Sequence, residues 1–203
     1  MAVLILDPIV SKRIRKQMED SGEDRHNEVW EGEYVVPPLA NNQHQHISYK
    51  WAKAIDLATG SRLEDTIFPG VNVSDRVEGW TENYRCPDVA VFLAGNPARD
   101  CGTHWCGGPD FLIEILSPGD RSRDKLPFYA AINVREVLIL DRDPWRMELY
   151  RRQDGQLVEV GRTDPTSTVA IASEVLTLTF AFGPGTDRPA IIVAHPDGRT
   201  WRV

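Results

Sequence analysis

Cysteine is scarce: Cys86, Cys101 and Cys106 are the three in a chain of 203 residues. An odd number this small does not make a disulfide framework, so a buried core must hold the fold together. Long apolar runs are missing too. No stretch approaches the roughly 20 residues that a helix needs to cross a bilayer. The opening MAVLILDPIV has a short apolar run with neither a cationic lead nor a cleavage pattern. A reducing cytoplasm is therefore the expected compartment. Positive charge is in deficit, with 23 Lys and Arg against 30 Asp and Glu and a formal net charge of -7. Phosphate binding over the whole surface needs clustered Lys and Arg, so any nucleic-acid contact has to be local. Internal repeats and low-complexity linkers are absent as well, and the length suits one domain with a full core.

What is present reads as a mixed sheet with helices packed on it. Asp7-Pro8 has the form of an N-cap with proline at the first helical position, and Ile9, Ile14 and Met18 supply an apolar stripe through Ser21-Gly22. Lys12, Arg13, Arg15 and Lys16 decorate that helix, a pattern more often solvated than used as a DNA arm. Glu28 to Val36 predicts a hairpin turning at Glu31-Gly32 and closed by Pro37-Pro38. From Gln43 to Thr59, apolar residues at three- and four-residue intervals followed by Gly60 predict a helix. Short strands are expected at 66–73, 77–80 and 89–93, with an irregular glycine-rich connection from Ala94 to Pro109. A late-starting helix follows at Ser122 to Asn133, because Pro127 interrupts its first turns. A hairpin over 146–160 turns at Asp154-Gly155, and β-like runs at 168–172, 176–180, 190–194 and 200–203 finish the chain.

The run Phe111 to Leu116 is central. Strand side chains alternate between two faces, and here both faces are apolar except at Glu114. Such a run is covered on both sides, where an ionised carboxylate is unfavourable by about several kcal/mol unless a cation or strong donors meet it. Asp110 lies four residues away on the same strand, about 13 Å by strand rise, and cannot share an ion with Glu114. Asp88 opens a different run. Adjacent strands lie about 4.8 Å apart, so pairing of the two runs would put Asp88 beside Glu114 as ligands for a hard cation such as Mg²⁺ or Mn²⁺. Asp88 is otherwise a strand-entry cap. Lys125, on the following helix, is placed to return over the strand end and orient a water attacking phosphorus; taken alone it is an exposed helix lysine. Arg121 and Arg123 are candidates for a backbone phosphate. His44, at a helix start, is a cap or surface group or an accessory to the same cleft. Cys101, His104 and Cys106 form a minor alternative, soft ligands for zinc on a glycine-rich loop at a spacing unlike the usual knuckles.

The succession Pro87-Asp88-Val89, a strand ending Glu114-Ile-Leu-Ser-Pro118, Lys125-x-x-x-Tyr129, and Val134-x-Glu-Val-Leu-Ile-Leu-Asp141 resembles the Uma-type family of restriction-endonuclease-like proteins. That family is a branch of the PD-(D/E)XK nuclease superfamily. Glu31-Gly32-Glu33, Pro37-Pro38 and His44-Gln45 are similar to its entry segment, so the likeness runs from Glu28 to Arg152. The resemblance implies Asp88 and Glu114 as metal ligands, Lys125 as a catalytic lysine displaced onto the helix, and Glu33 as an additional acidic position. Leu116 stands where the superfamily's usual Glu-x-Lys has its lysine, and the turn from Ser117-Pro118 to Lys125 is shorter than the family's. The tail after Thr163 departs from the family's end.

The expected architecture is thus an α/β (α+β) fold: a restriction-endonuclease-like mixed sheet flanked by helices, with extra C-terminal hairpins. It divides into an N-terminal helical segment over 1–27, a nuclease-like core over 28–163 and a β-rich extension over 164–203. The expected function is divalent-metal-dependent hydrolysis of DNA by a homodimer. A catalytically silent nucleic-acid- or protein-binding module on the same fold is the alternative.

Overall fold

The computed structural model describes residues 3–21, 27–37 and 40–203. Gly22 and Pro38, expected as a helix stop and a strand stop, lie outside the described residues. In chain order the elements are β1 (Val3–Ile5), α1 (Pro8–Ser21), β2 (Glu28–Trp30), β3 (Glu33–Val36), α2 (Asn42–Thr59), β4 (Thr66–Phe68), β5 (Val73–Ser74), β6 (Tyr84–Arg85), β7 (Val89–Phe92), β8 (Arg99–Asp100), β9 (Trp105–Cys106) and β10 (Phe111–Ile115). After β10 come α3 (Leu126–Ala131), β11 (Glu136–Arg142), β12 (Trp145–Gln153), β13 (Gln156–Thr163), β14 (Ile171–Ser173), β15 (Leu178–Gly183), β16 (Ala190–Ala194) and β17 (Thr200–Arg202). The result is a mixed α/β fold.

Local chemistry accounts for the boundaries. The Asp7 carboxylate accepts the amides of Ile9 and Val10 and caps α1. The apolar stripe expected on that helix is weak, since Ile9 is 81% exposed. Asn41 caps α2 by accepting the His44 amide, and Gly60 ends it in left-handed backbone at φ 86. Both predicted hairpins close through two residues with positive φ, Glu31-Gly32 and Asp154-Gly155, the geometry that matches strand twist. Residues 77–80 are not a strand. Gly79 turns the chain at φ 65 into a short 3-10 turn, and Trp80 stacks on His104 at 4.6 Å.

Among the described residues the strands form three sheets, ordered β1-β3-β2-β6-β5-β9-β8, β13-β12-β11-β10-β7-β4 and β14-β15-β16-β17. The second is the spine. Its central β10 pairs parallel with β11 and antiparallel with β7, and all five of its residues are buried. Phe111, Ile113 and Ile115 face α2 and the C-terminal sheet, whereas Leu112 and Leu116 face Tyr129, Ile132 and Val137. The C-terminal strands are therefore core, not an ornament at the sheet edge. Phe180 on β15 meets Trp51 on α2 edge-on at 5.2 Å. Buried Glu136 fastens the same sheet to the spine by accepting from Arg151, Ser173 and the amides of Glu174 and Val175.

Removing Phe180 tests that assignment. Phe180→Ala is expected to cost about 3–5 kcal/mol in urea unfolding, whereas Leu63→Ala, at a residue 99% exposed, should stay within about 0.5 kcal/mol of the parent.

Candidate active site

The antiparallel ladder sets Val89 opposite Ile113, so its next step brings Asp88 alongside Glu114. Asp88 Oδ2 then accepts the Ile115 amide at 2.6 Å. One turn apart on α2, His44 and Ser48 face this point: Ser48 Oγ donates to the Asp88 carbonyl at 2.8 Å, and His44 Nε2 lies 2.9 Å from the Ile115 carbonyl and 3.3 Å from Asp88 Oδ1. Burial opposes charge on the His44 ring, but the Asp88 carboxylate outweighs it and the pKa is raised.

Glu114 is buried beneath α3 and the 3-10 turn before it. Lys125 Nζ donates to both of its oxygens at 3.1 Å and the Tyr129 hydroxyl makes a short bond to Oε1, while Ser122 Oγ lies 3.1 Å from Oε2 and 2.6 Å from Asp120 Oδ1. Lys125 also reaches Glu28 Oε1 at 2.8 Å. Glu28 is itself buried on β2, accepting the Trp30 indole N–H at 2.6 Å and the Cys86 amide at 2.9 Å. One ammonium thus joins an acid of the hairpin to an acid of the central strand.

These shifts have opposing causes. Burial, then the charges of Asp88 and Glu28, push the Glu114 carboxyl up to about 8 against the pull of Lys125 and Tyr129. Burial would lower the Lys125 pKa, yet the Glu114 and Glu28 carboxylates hold it above the usual lysine range. The first shift asks for a neutral Glu114 and the second for an ionised one. The contacts favour the ion pair, because a neutral carboxyl would aim its own proton at one of the donors converging on its two oxygens.

The sequence-derived candidates divide cleanly. Asp88, Glu114, Lys125 and His44 come together. Glu33 does not: it pairs with Trp30 at the turn end of the hairpin and is exposed, while Glu28, on the same face but two residues further from the turn, is the acid that turns inward. Arg121 is held by Asp124 at 2.7 Å and lies over the Trp30 ring. Arg123 grips Glu148 through two 3.1 Å bonds. Asp110 accepts from the Leu93 amide, Asn96 and Arg135, a structural role 13 Å or so along the strand from Glu114. His104 has both ring nitrogens engaged, by Thr103 and the Arg76 carbonyl.

Glu28, Ser122 and Tyr129 were missed as site residues. Tyr129 had a signal, its place four residues after Lys125. Glu28 had only its position at the start of a β run.

No group of three His, Cys, Asp or Glu side chains around one point occurs among the described residues. The donor chemistry nevertheless suits a hard cation. Asp88 Oδ1 and the Ile115 carbonyl converge on His44 Nε2, and these oxygens, with Glu114 next in the ladder, are the groups that would hold such a cation. A carboxylate offers about four acceptor positions, so an ion joining Glu114 has to replace one of its present donors.

Residues 15–182 match the profile of the family described as "Uma2: Putative restriction endonuclease". The fold is similar to that of a putative nuclease belonging to DUF820 from Anabaena variabilis, with a TM-score of 0.56 and 20% identity over 71% of this chain and 80% of that one. No curated protein matches the chain.

Lys125→Met should cost about 3–5 kcal/mol in urea unfolding near neutral pH, since it strands buried carboxylates without their cation. The pH dependence has a defined sign. In the variant the Glu114 carboxyl, which burial pushes up, loses the Lys125 charge that pulls it down, so the folded chain binds a proton that the unfolded chain releases. The deficit is therefore expected to shrink as pH falls towards the unfolded value.

Proposed function

The chain belongs to the Uma2 family, and on that footing we propose that it is a divalent-metal-dependent endonuclease hydrolysing DNA phosphodiester bonds. The observation that carries the reading is the β7–β10 ladder, whose next step past Val89–Ile113 puts Asp88 next to Glu114, the carboxylate that Lys125 holds. Asp88, Glu114 and the Ile115 carbonyl are the groups that would hold the cation. When bound, it would lower the pKa of a water and offset charge on the phosphate oxygens.

The rest of the chemistry falls to the protein's own side chains. Lys125 keeps its proton, because two carboxylates hold its pKa up. It therefore acts as a donor that orients water and meets developing negative charge, not as a base. Glu28 is a positioning residue that fixes Lys125 from the side away from Glu114, the accessory part first given to Glu33. Ser122 and Tyr129 fix the Glu114 carboxylate in one orientation, and His44 does the same for Asp88. Arg121 and Arg123 stay in this reading as flanking cations. Homodimerisation, which would place two such centres on two strands, and a cytoplasmic setting complete it; no described helix is long and apolar enough to cross a membrane.

The second reading, a silent binding module, is favoured by the saturation of Glu114 and by the net charge of -7. Plasmid nicking with Mg²⁺ or Mn²⁺ separates the two. The parent is expected to nick, with Glu114→Ala and Lys125→Ala slower by about 100-fold or more. Equal nicking by all three would assign the activity to a contaminant and leave the binding module.

A further inference from the structure

Arg142, the last residue of β11, differs from the cations of the turn before α3, and unlike Arg85, which is buried with its bonds to neutral oxygens, it is only partly covered. Arg121 and Arg123 are neutralised by Asp124 and Glu148, and Lys125 lies between two acids. Arg142 forms no ion pair among the described residues. Each of its bonds goes to a neutral oxygen: Nε to the Leu116 carbonyl at 3.1 Å, one terminal nitrogen to the Asn41 and Gln43 side chains at 3.3 and 3.1 Å, and the other to Ser117 Oγ at 3.4 Å.

Its location adds to the contrast. Leu116 directly follows Glu114-Ile115, and Asn41 and Gln43 belong to the cap and first turn of α2, beside His44. Arg142 and His44 therefore bridge the same two segments, the end of β10 with the residues just after it and the start of α2. The charges of Asp88, Asp141 and Asp120 are felt at the guanidinium without contacting it. The Nε bond to the backbone carbonyl of buried Leu116 fixes the plane of the fork. The outer bonds, to exposed Gln43 and to Ser117, are to weak acceptors that an anion would readily replace, since hydrogen bonds to charged groups are about twice as strong as neutral ones.

We propose that Arg142 is the phosphate-docking residue of this centre, holding a backbone phosphate of a nucleic acid beside the Asp88–Glu114 pair. The inference rests on the nuclease reading and names the cation through which that reading meets its substrate. A planar fork held at one edge and free to exchange partners at the other suits a phosphodiester, which presents two unesterified oxygens.

The test is binding without turnover. Fluorescence anisotropy of a labelled duplex oligonucleotide is followed in EDTA across a KCl series. Arg142→Gln, which keeps polar contacts but no charge, is expected to bind about tenfold more weakly at low salt and to flatten the slope of log K on log salt by about 0.9, one phosphate contact. Arg142→Lys should keep the slope. Arg199→Gln, in the exposed turn before β17, gives the baseline for losing any arginine. Gln43→Glu supplies the guanidinium with an internal carboxylate at an exposed position, so it should reproduce the Arg142→Gln loss without risk to the fold. Parent-like affinity and slope in both Arg142→Gln and Gln43→Glu would overturn the inference while leaving the nuclease reading intact. A parent that binds no duplex would overturn both.

Discussion

A single ammonium, shut away from water between two carboxylates, is what the site depends on. Lys125 comes from the turn before α3, Glu114 from the spine sheet and Glu28 from the hairpin of a different sheet. Removing charges from water is unfavourable, and only close, well-satisfied geometry makes the pairing tolerable. The surrounding donors supply that geometry. Trp30 and the Cys86 amide meet Glu28, while Ser122 and Tyr129 meet Glu114, so each acid has further contacts besides the ammonium. Three structural layers are thereby held in one register. Asp88 stands at the edge of this arrangement, with its side chain 23% exposed and its orientation set by the Ile115 amide and His44.

The double-sided burial of β10 follows from the same logic. A strand covered by α2 and the C-terminal sheet on one face and by α3 on the other gives Glu114 no route to solvent along the sheet. Its carboxyl must be met by protein groups, and those groups must be brought from distant segments. The polar rim just past the strand end, where Asp88, His44 and Arg142 gather, is where a large ligand has access.

Much of this was legible from the residues. The α2 periodicity ending at Gly60, the turns at Glu31-Gly32 and Asp154-Gly155, and the apolar run around Glu114 are local signals, and local physics decided them. That a buried Glu114 would be met by a cation and donors was legible from its place in a covered strand, and Lys125 and Tyr129 are those groups. The exchange of Glu33 for Glu28 was not legible. Both acids sit on the same face of one hairpin, and which turns inward depends on how that hairpin lies against the segment around Cys86. The C-terminal strands were found individually, but strand signals do not say which face of which sheet they cover; Trp51 against Phe180 is a contact between elements far apart in sequence. The strand expected at 77–80 failed because Gly79 and the stacking of Trp80 on His104 outweighed its local β preference.

The bridge from Glu28 to Lys125 has a temporal consequence. On a ribosome, the hairpin that carries Glu28 emerges long before the segment that carries its cation, so Glu28 must wait for its partner in a chain that cannot yet close. The acidic centre therefore closes late and all at once, when the spine strands zip together and Lys125 arrives between Glu28 and Glu114.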